Sequence, residues 1–140
     1  MRRAAYSLLE LTVVLAIAGL LLALVAPRFA AVRDGASVRA AMTDLTGAFS
    51  TARQTAIMRR MLVAVVLDTA SGTVELRASG VRLLRHSLRD VYGIVLAANR
   101  DSTVYDPRGL GYGVSNLSVT VRRGAFVDTL TMSRLGRVRW

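Results

Sequence analysis

Few residues in this chain are of types that do chemistry, and the one in the most unusual setting is Glu10. It stands between Leu8-Leu9 and an apolar run from Leu11 to Ala26. A charge near the centre of a bilayer costs roughly 2.5–3.5 kcal/mol even on the mildest scale, so such an acid needs a task and a partner. The preceding residues, Met1-Arg2-Arg3-Ala4-Ala5, are basic and then small, the pattern of a removable leader. One acid therefore flags both a processing site and an assembly contact. Catalytic types are sparse elsewhere. There is no cysteine, hence no disulfide or thiolate ligand, and the single histidine, His86, is flanked by Arg85 and Ser87. Ser7 and Ser71 have no neighbouring base to activate them. Gly109-Leu110-Gly111-Tyr112-Gly113 lacks a lysine and follows no βα pattern, so a flexible turn is expected rather than a phosphate loop. No enzymatic activity, cofactor or metal is expected.

The element that must position Glu10 is a membrane helix. Leu8 to Ala26 is 19 residues, about 28 Å at 1.5 Å per residue, close to a hydrocarbon core of roughly 30 Å. A secretory signal peptide fits less well, because an acid interrupts the apolar region and Pro27 follows Ala26 directly. Arg2 and Arg3 flank one side and Arg28 and Arg33 the other. The short, acid-free N-terminal tail favours the N-terminus inside. All 19 basic residues of the 140 are arginine, so codon composition contributes to the arginine count. Residues 28–140 nevertheless carry 17 Arg against 8 acids, a net +9, which favours anionic partners.

Beyond Pro27 the helical pattern resumes, weakened at Asp34-Gly35. Val38, Met42, Leu45, Phe49, Ala52 and Ala56 form one apolar stripe, with Arg39, Asp44, Arg53 and Arg59 off it. Two and a half heptads are short for a coiled-coil seam, so the stripe is expected to dock on a sheet. The period then changes. Leu62–Leu67 reads as a buried strand and Thr73–Ala78 as its hairpin partner across Asp68–Gly72. Further apolar runs lie at Val81–Leu84, Val91–Ala97 and Thr103–Tyr105, and Asp106–Gly111 is rich in turn residues. Leu117–Val121 and Phe126–Met132 read as a hairpin about 122–125, with Val138 in a last short strand. The expected fold is α+β: a long N-terminal helix packed on a small antiparallel sheet.

At its N-terminus the chain resembles the type IV prepilins. Ala5-Tyr6-Ser7-Leu8-Leu9-Glu10-Leu11 matches their pattern of a small residue, then an aromatic or apolar one, a Ser or Thr, and an acid at the fifth mature position. Ala5 and Tyr6 stand where Gly and Phe are usual. The resemblance implies cleavage between Ala5 and Tyr6 by a prepilin peptidase, N-methylation of Tyr6, and a helix bend at Pro27. Paired in a fibre, the Glu10 carboxylate and a neighbour's Tyr6 amine make two costly charges tolerable together. Val104-Tyr105-Asp106-Pro107-Arg108-Gly109, the later hairpin and Leu135-Gly136-Arg137-Val138-Arg139 are similar to the GspH/FimT group of minor pseudopilins.

That resemblance implies a structural subunit of a type II secretion pseudopilus or type IV pilus-like fibre, assisting initiation or the tip and protein export. Its partners would be other pilins, the prepilin peptidase/N-methyltransferase and the inner membrane. It would cross that membrane once, N-terminus cytoplasmic and globular domain periplasmic, before joining a periplasmic or extracellular fibre. The division is a leader at 1–5, a transmembrane and assembly helix at 6–27, an amphipathic continuation at 28–61 and a β domain at 62–140. In the branch linked to DNA uptake, a Gly-Arg-x-Arg element is associated with DNA binding, and Gly136-Arg137-Val138-Arg139 has that form. In a strand, Arg137 and Arg139 share a face about 6.6–7 Å apart, comparable with phosphate spacing. Trp140 could stack on a base, and Arg134, Arg122 and Arg123 could extend the patch. A DNA-binding minor pilin for transformation is the alternative; a plain membrane-anchored periplasmic binding domain is a third reading.

Overall fold

The computed structural model describes residues 7–113 and 115–140, with Ala26 by its backbone alone. Ser7 opens the first element: its hydroxyl oxygen accepts the Glu10 amide at 3.2 Å, satisfying one of the free N–H groups of a helix start. Helix α1 then runs from Leu8 to Arg59, and its helical backbone continues through Pro27. It ends without glycine. Arg60 takes a left-handed conformation (φ 50°), its amide bonds to the Ile57 carbonyl, and the Met61 amide reaches back to the Ala56 carbonyl at 3.2 Å. This is a Schellman closure, and Arg60 carries a steric cost that glycine would avoid.

By its contacts the chain divides into a unit ending at Arg33 and a second unit, Asp34–Trp140. Within the second, the expected stripe is the buried face of the helix: Val38, Met42, Leu45, Phe49, Ala52 and Ala56 are all buried, joined by Ala41 and Ala48. Burying each of Met42, Leu45 and Phe49 contributes roughly 1.5–3 kcal/mol.

Among the described residues nine strands form two antiparallel sheets, where the sequence suggested one. Five strands run in the order β3-β2-β1-β5-β6 and four in the order β4-β7-β8-β9. The first sheet comprises β1 (Val63–Asp68), β2 (Thr73–Ala78), β3 (Val81–Ser87), β5 (Ser102–Tyr105) and β6 (Gly111–Tyr112). The second comprises β4 (Val95–Ala98), β7 (Leu117–Arg123), β8 (Phe126–Met132) and β9 (Val138–Arg139). Alternate residues such as Val63, Val65 and Leu67, or Leu117, Val119 and Val121, join the helix stripe in one core. The fold is α+β, a long N-terminal helix packed on antiparallel sheets.

One segment departs from the sequence reading. Val91 and Tyr92 belong not to a strand but to a short helix α2 (Leu88–Tyr92). Ser87 caps it, its hydroxyl accepting the Asp90 amide at 3.4 Å and donating to the Asp90 carboxylate at 2.6 Å, and Gly93 closes it in the left-handed region.

Candidate functional site

Glu10 lies in the first turn of α1, where an acid is favoured by the positive end of the helix dipole. The large side chains that follow, from Leu11 to Leu24, stand exposed. The helix thus presents apolar surface all round, long and apolar enough to cross a membrane. Ala5 and Tyr6 lie outside the described residues. Pro27 sits inside the helix, where it removes one backbone donor.

The C-terminal element is built by a second loop. Asp106 is almost fully buried and its Oδ1 accepts the amides of Arg108 (2.8 Å) and Leu110 (2.9 Å), while Oδ2 takes Nε of Arg108 at 3.0 Å. These bonds, led by the Leu110 amide, hold its carboxyl below the usual range. They also tie the turn from Asp106 to Leu110 together. Gly136 packs on it in the left-handed region (φ 71°), and a Cβ there would fall 2.6 Å from the Gly109 carbonyl oxygen and 3.0 Å from the ring of Tyr105. Tyr105 is fully buried beneath, and desolvation pushes its phenol up to about 12. Only glycine fits at 136.

From this anchor Arg137 leads into β9, which pairs Thr131 with Arg139 and Met132 with Val138. Val138 turns toward the core while Arg137 and Arg139 remain exposed. With Thr131, Ser133 and Leu135 they line an open depression of about 390 Å³. Neither arginine forms an ion pair among the described residues. The same outer face of the sheet displays Ser118, Thr120, Arg122, Thr129 and Thr131 and no acid among the described residues.

The other arginines separate. Arg122 shares the face but is paired with Val127, four residues along β8 from Thr131, a distance of about 13 Å. Arg134 is exposed in the turn before Gly136, and Trp140 is half-exposed past the end of β9. Arg123 leaves the candidate set. Its Nε donates to Asp34 Oδ1 at 2.7 Å, its Nη1 to the Ser37 hydroxyl at 3.0 Å and also to the Tyr92 carbonyl. It fastens the β7–β8 turn to the helix. Gly35 completes that dock, for the ring of Phe126 lies 3.2 Å from where its Cβ would stand. Asp34-Gly35, read from sequence as a weak point of the helix, is the notch that receives the turn.

The profile of the family described as Type II transport protein GspH matches residues 41–136. The chain belongs to the GspH family. The match covers the C-terminal part of α1 and the strands from β1 to β8, and it stops at Gly136, one residue before Arg137. GspH-type chains of this kind are structural, pilin-like subunits. The fold is similar to two crystal structures of the type IV minor pilin FimU from Pseudomonas aeruginosa strain PAO1. At 15% identity the first covers 73% of this chain and 86% of its own, with a TM-score of 0.63. The second, at 14% identity, covers 72% and 90%, with a TM-score of 0.60. No curated protein matches the chain.

Two charged clusters were not singled out from the sequence. The Tyr92 hydroxyl donates to Asp44 at 2.6 Å, which raises its own pKa, and His86 Nδ1 stands 3.8 Å from the same carboxylate. On β2 and β3, Arg77, Arg82 and Arg85 gather about Glu75. The available signal was the alternation of Glu75 and Arg77 within Thr73–Ala78.

Proposed function

We propose that this chain is a minor pseudopilin: a subunit of a type II secretion pseudopilus or type IV pilus-like fibre, assisting fibre initiation or the tip and protein export. The observation that carries the reading is the joining of a GspH-family domain to a helix that is apolar all round and interrupted by one carboxylate. In this reading 1–5 is a leader, 6–27 the membrane and assembly helix, 28–61 its amphipathic continuation and 62–140 the β domain. The helix holds the subunit in the inner membrane, N-terminus cytoplasmic, until it joins the fibre. Prepilin peptidase cuts after Ala5 and Tyr6 is methylated. The new amine then pairs with Glu10 of a neighbouring subunit, and the pair makes fibre entry favourable where a lone carboxylate in lipid is not. Mass spectrometry of the subunit from its native membrane tests this. A mature chain beginning at methylated Tyr6 is expected; an intact Met1, or a cut after Ala26, would reject it.

The acid-free face carrying Arg137 and Arg139 favours one second reading, a minor pilin that binds DNA for uptake. Binding of an oligonucleotide should then weaken steeply with salt, and replacing Arg137 and Arg139 by alanine should flatten that slope. Salt-independent or undetectable binding would remove it.

A further inference from the structure

The outer face of the five-stranded sheet carries a charge arrangement that fibre membership does not require. Register sets two rows across it. Tyr112, Val104, Ala64, Arg77 and Arg82 are cross-strand neighbours in one, and Ser102, Val66, Glu75 and Arg85 in the other. The first row passes from Tyr112, Val104 and Ala64 on β6, β5 and β1 to Arg77 and Arg82 on β2 and β3, and the second from Ser102 and Val66 to Glu75 and Arg85. Arg82 and Arg85 are three apart, a spacing that would place them on opposite faces of a regular strand. A β-bulge, where the register shifts between Leu76 and Arg77 opposite Leu83, brings both to the outer face.

The result is three guanidiniums about one carboxylate. Glu75 Oε2 accepts Nε (3.0 Å) and Nη2 (2.6 Å) of Arg77. Its Oε1 stands 3.5 Å from Arg82 Nη1 and 3.6 Å from Arg85 Nε. The guanidiniums of those two arginines make no hydrogen bond among the described residues, so their donors are unspent. The Glu75 side chain is only 13% exposed, whereas Arg77, Arg82 and Arg85 are 50–55% exposed. Asp68, whose carboxylate also feels Arg85, is already occupied by Ser71 and the Ala70 amide. Beside the cluster Leu62, Ala64, Arg77, Ser79, Gly80 and Val104 line an open depression of about 460 Å³.

We propose that this face docks an acidic segment of a different protein, one whose carboxylates reach Arg82 and Arg85 while its apolar side chains settle over Ala64 and Val104. A carboxylate is the planar acceptor that a half-satisfied guanidinium fork fits. The apolar half of each row suits a polypeptide, which carries apolar side chains beside its acids, better than a phosphate backbone. A second copy of this chain is a poor occupant. Its Asp34–Trp140 unit carries 15 Arg against 8 acids, and Asp34, Asp44, Asp68, Glu75, Asp90 and Asp106 are engaged within the chain. The face therefore selects a heterologous partner by charge.

The test uses the full chain in zwitterionic nanodiscs and a short labelled peptide alternating glutamate with leucine, read by fluorescence anisotropy. Its counterpart has glutamine for glutamate. The acidic peptide should bind about tenfold or more tightly than the glutamine one, and R82Q with R85Q should abolish that preference. Glu75→Gln should tighten binding, because it frees Arg77 and removes the internal competitor; a misfolded variant cannot produce that gain. R137Q with R139Q should leave peptide binding unchanged. Equal binding of the two peptides, no gain in Glu75→Gln, loss in the R137Q/R139Q protein, or displacement by an equally short oligonucleotide at the same concentration would each overturn the proposal. In the first case the arginines would serve only to guard an exposed sheet edge.

Discussion

The two halves of the long helix are built by opposite rules. As far as Val25 it displays leucine, valine and isoleucine in every direction, with Glu10 as its one charge. From Asp34 to Arg59 it buries one stripe and leaves arginine and polar residues outside. The first half's large apolar side chains stand exposed among the described residues, and in the proposed function lipid or another subunit covers them. The second half is the central element of a folded core. In the proposed function Glu10 governs where the subunit goes, whereas Phe49, buried in the core, governs whether the globular unit exists.

The comparison breaks most visibly in the core. Phe49→Ala should destabilise the globular unit by about 3–5 kcal/mol, from lost burial and the cavity left behind. Chemical denaturation followed by circular dichroism reads it. The equivalent truncation in the first half, Leu15→Ala, should leave that unfolding transition in place; a comparable shift would erase the distinction between the halves. Smaller is the loss at the notch. Arg123→Ala should cost about 2 kcal/mol, since three hydrogen bonds from a mostly buried guanidinium disappear. Asp34→Ala should cost less, and the double variant should fall short of the sum. Additive losses would show that the two residues do not act as a pair.

Smaller again is the pH effect at Asp106. Its folded carboxyl titrates below the ordinary aspartate value. Its contribution is therefore complete above the unfolded value and is lost as pH falls through the folded one. Melting temperature should decline below about pH 4, and Asp106→Asn should be less stable at neutral pH yet show a shallower decline. An unchanged acid slope in that variant would assign the titration to other groups.

Much of this was legible in sequence where one periodicity dominated. The stripe from Val38 to Ala56 repeats at helical spacing because one face alone is buried, Thr73–Ala78 alternates for the same reason, and Leu62–Leu67 showed as a short continuous apolar run. The split into two sheets was not legible, since inward alternation looks the same whichever sheet a strand joins. The apolar run Val91–Ala97 spans the end of α2 and most of β4, and its apolar residues hid a capping pair, Ser87 and Asp90, and a closing glycine, Gly93. The Asp34-Gly35 notch and the bulge at Leu83 depend on partners distant in sequence, Arg123 and Phe126 in one case and Leu76 and Arg77 in the other. Of the candidate arginines, 137 and 139 came together as strand alternation implied, whereas 123 was drawn to the helix by a carboxylate 89 residues away.

In the proposed function Glu10 acts between subunits and not within one. The direct measurement is the amount of full-length Glu10→Ala protein recovered in sheared or sedimented fibres, relative to the amount left in the inner membrane. The account predicts a variant that inserts, is cut after Ala5 and keeps its globular unfolding transition, yet is depleted from the fibres several-fold. Incorporation equal to that of the unaltered chain would contradict it.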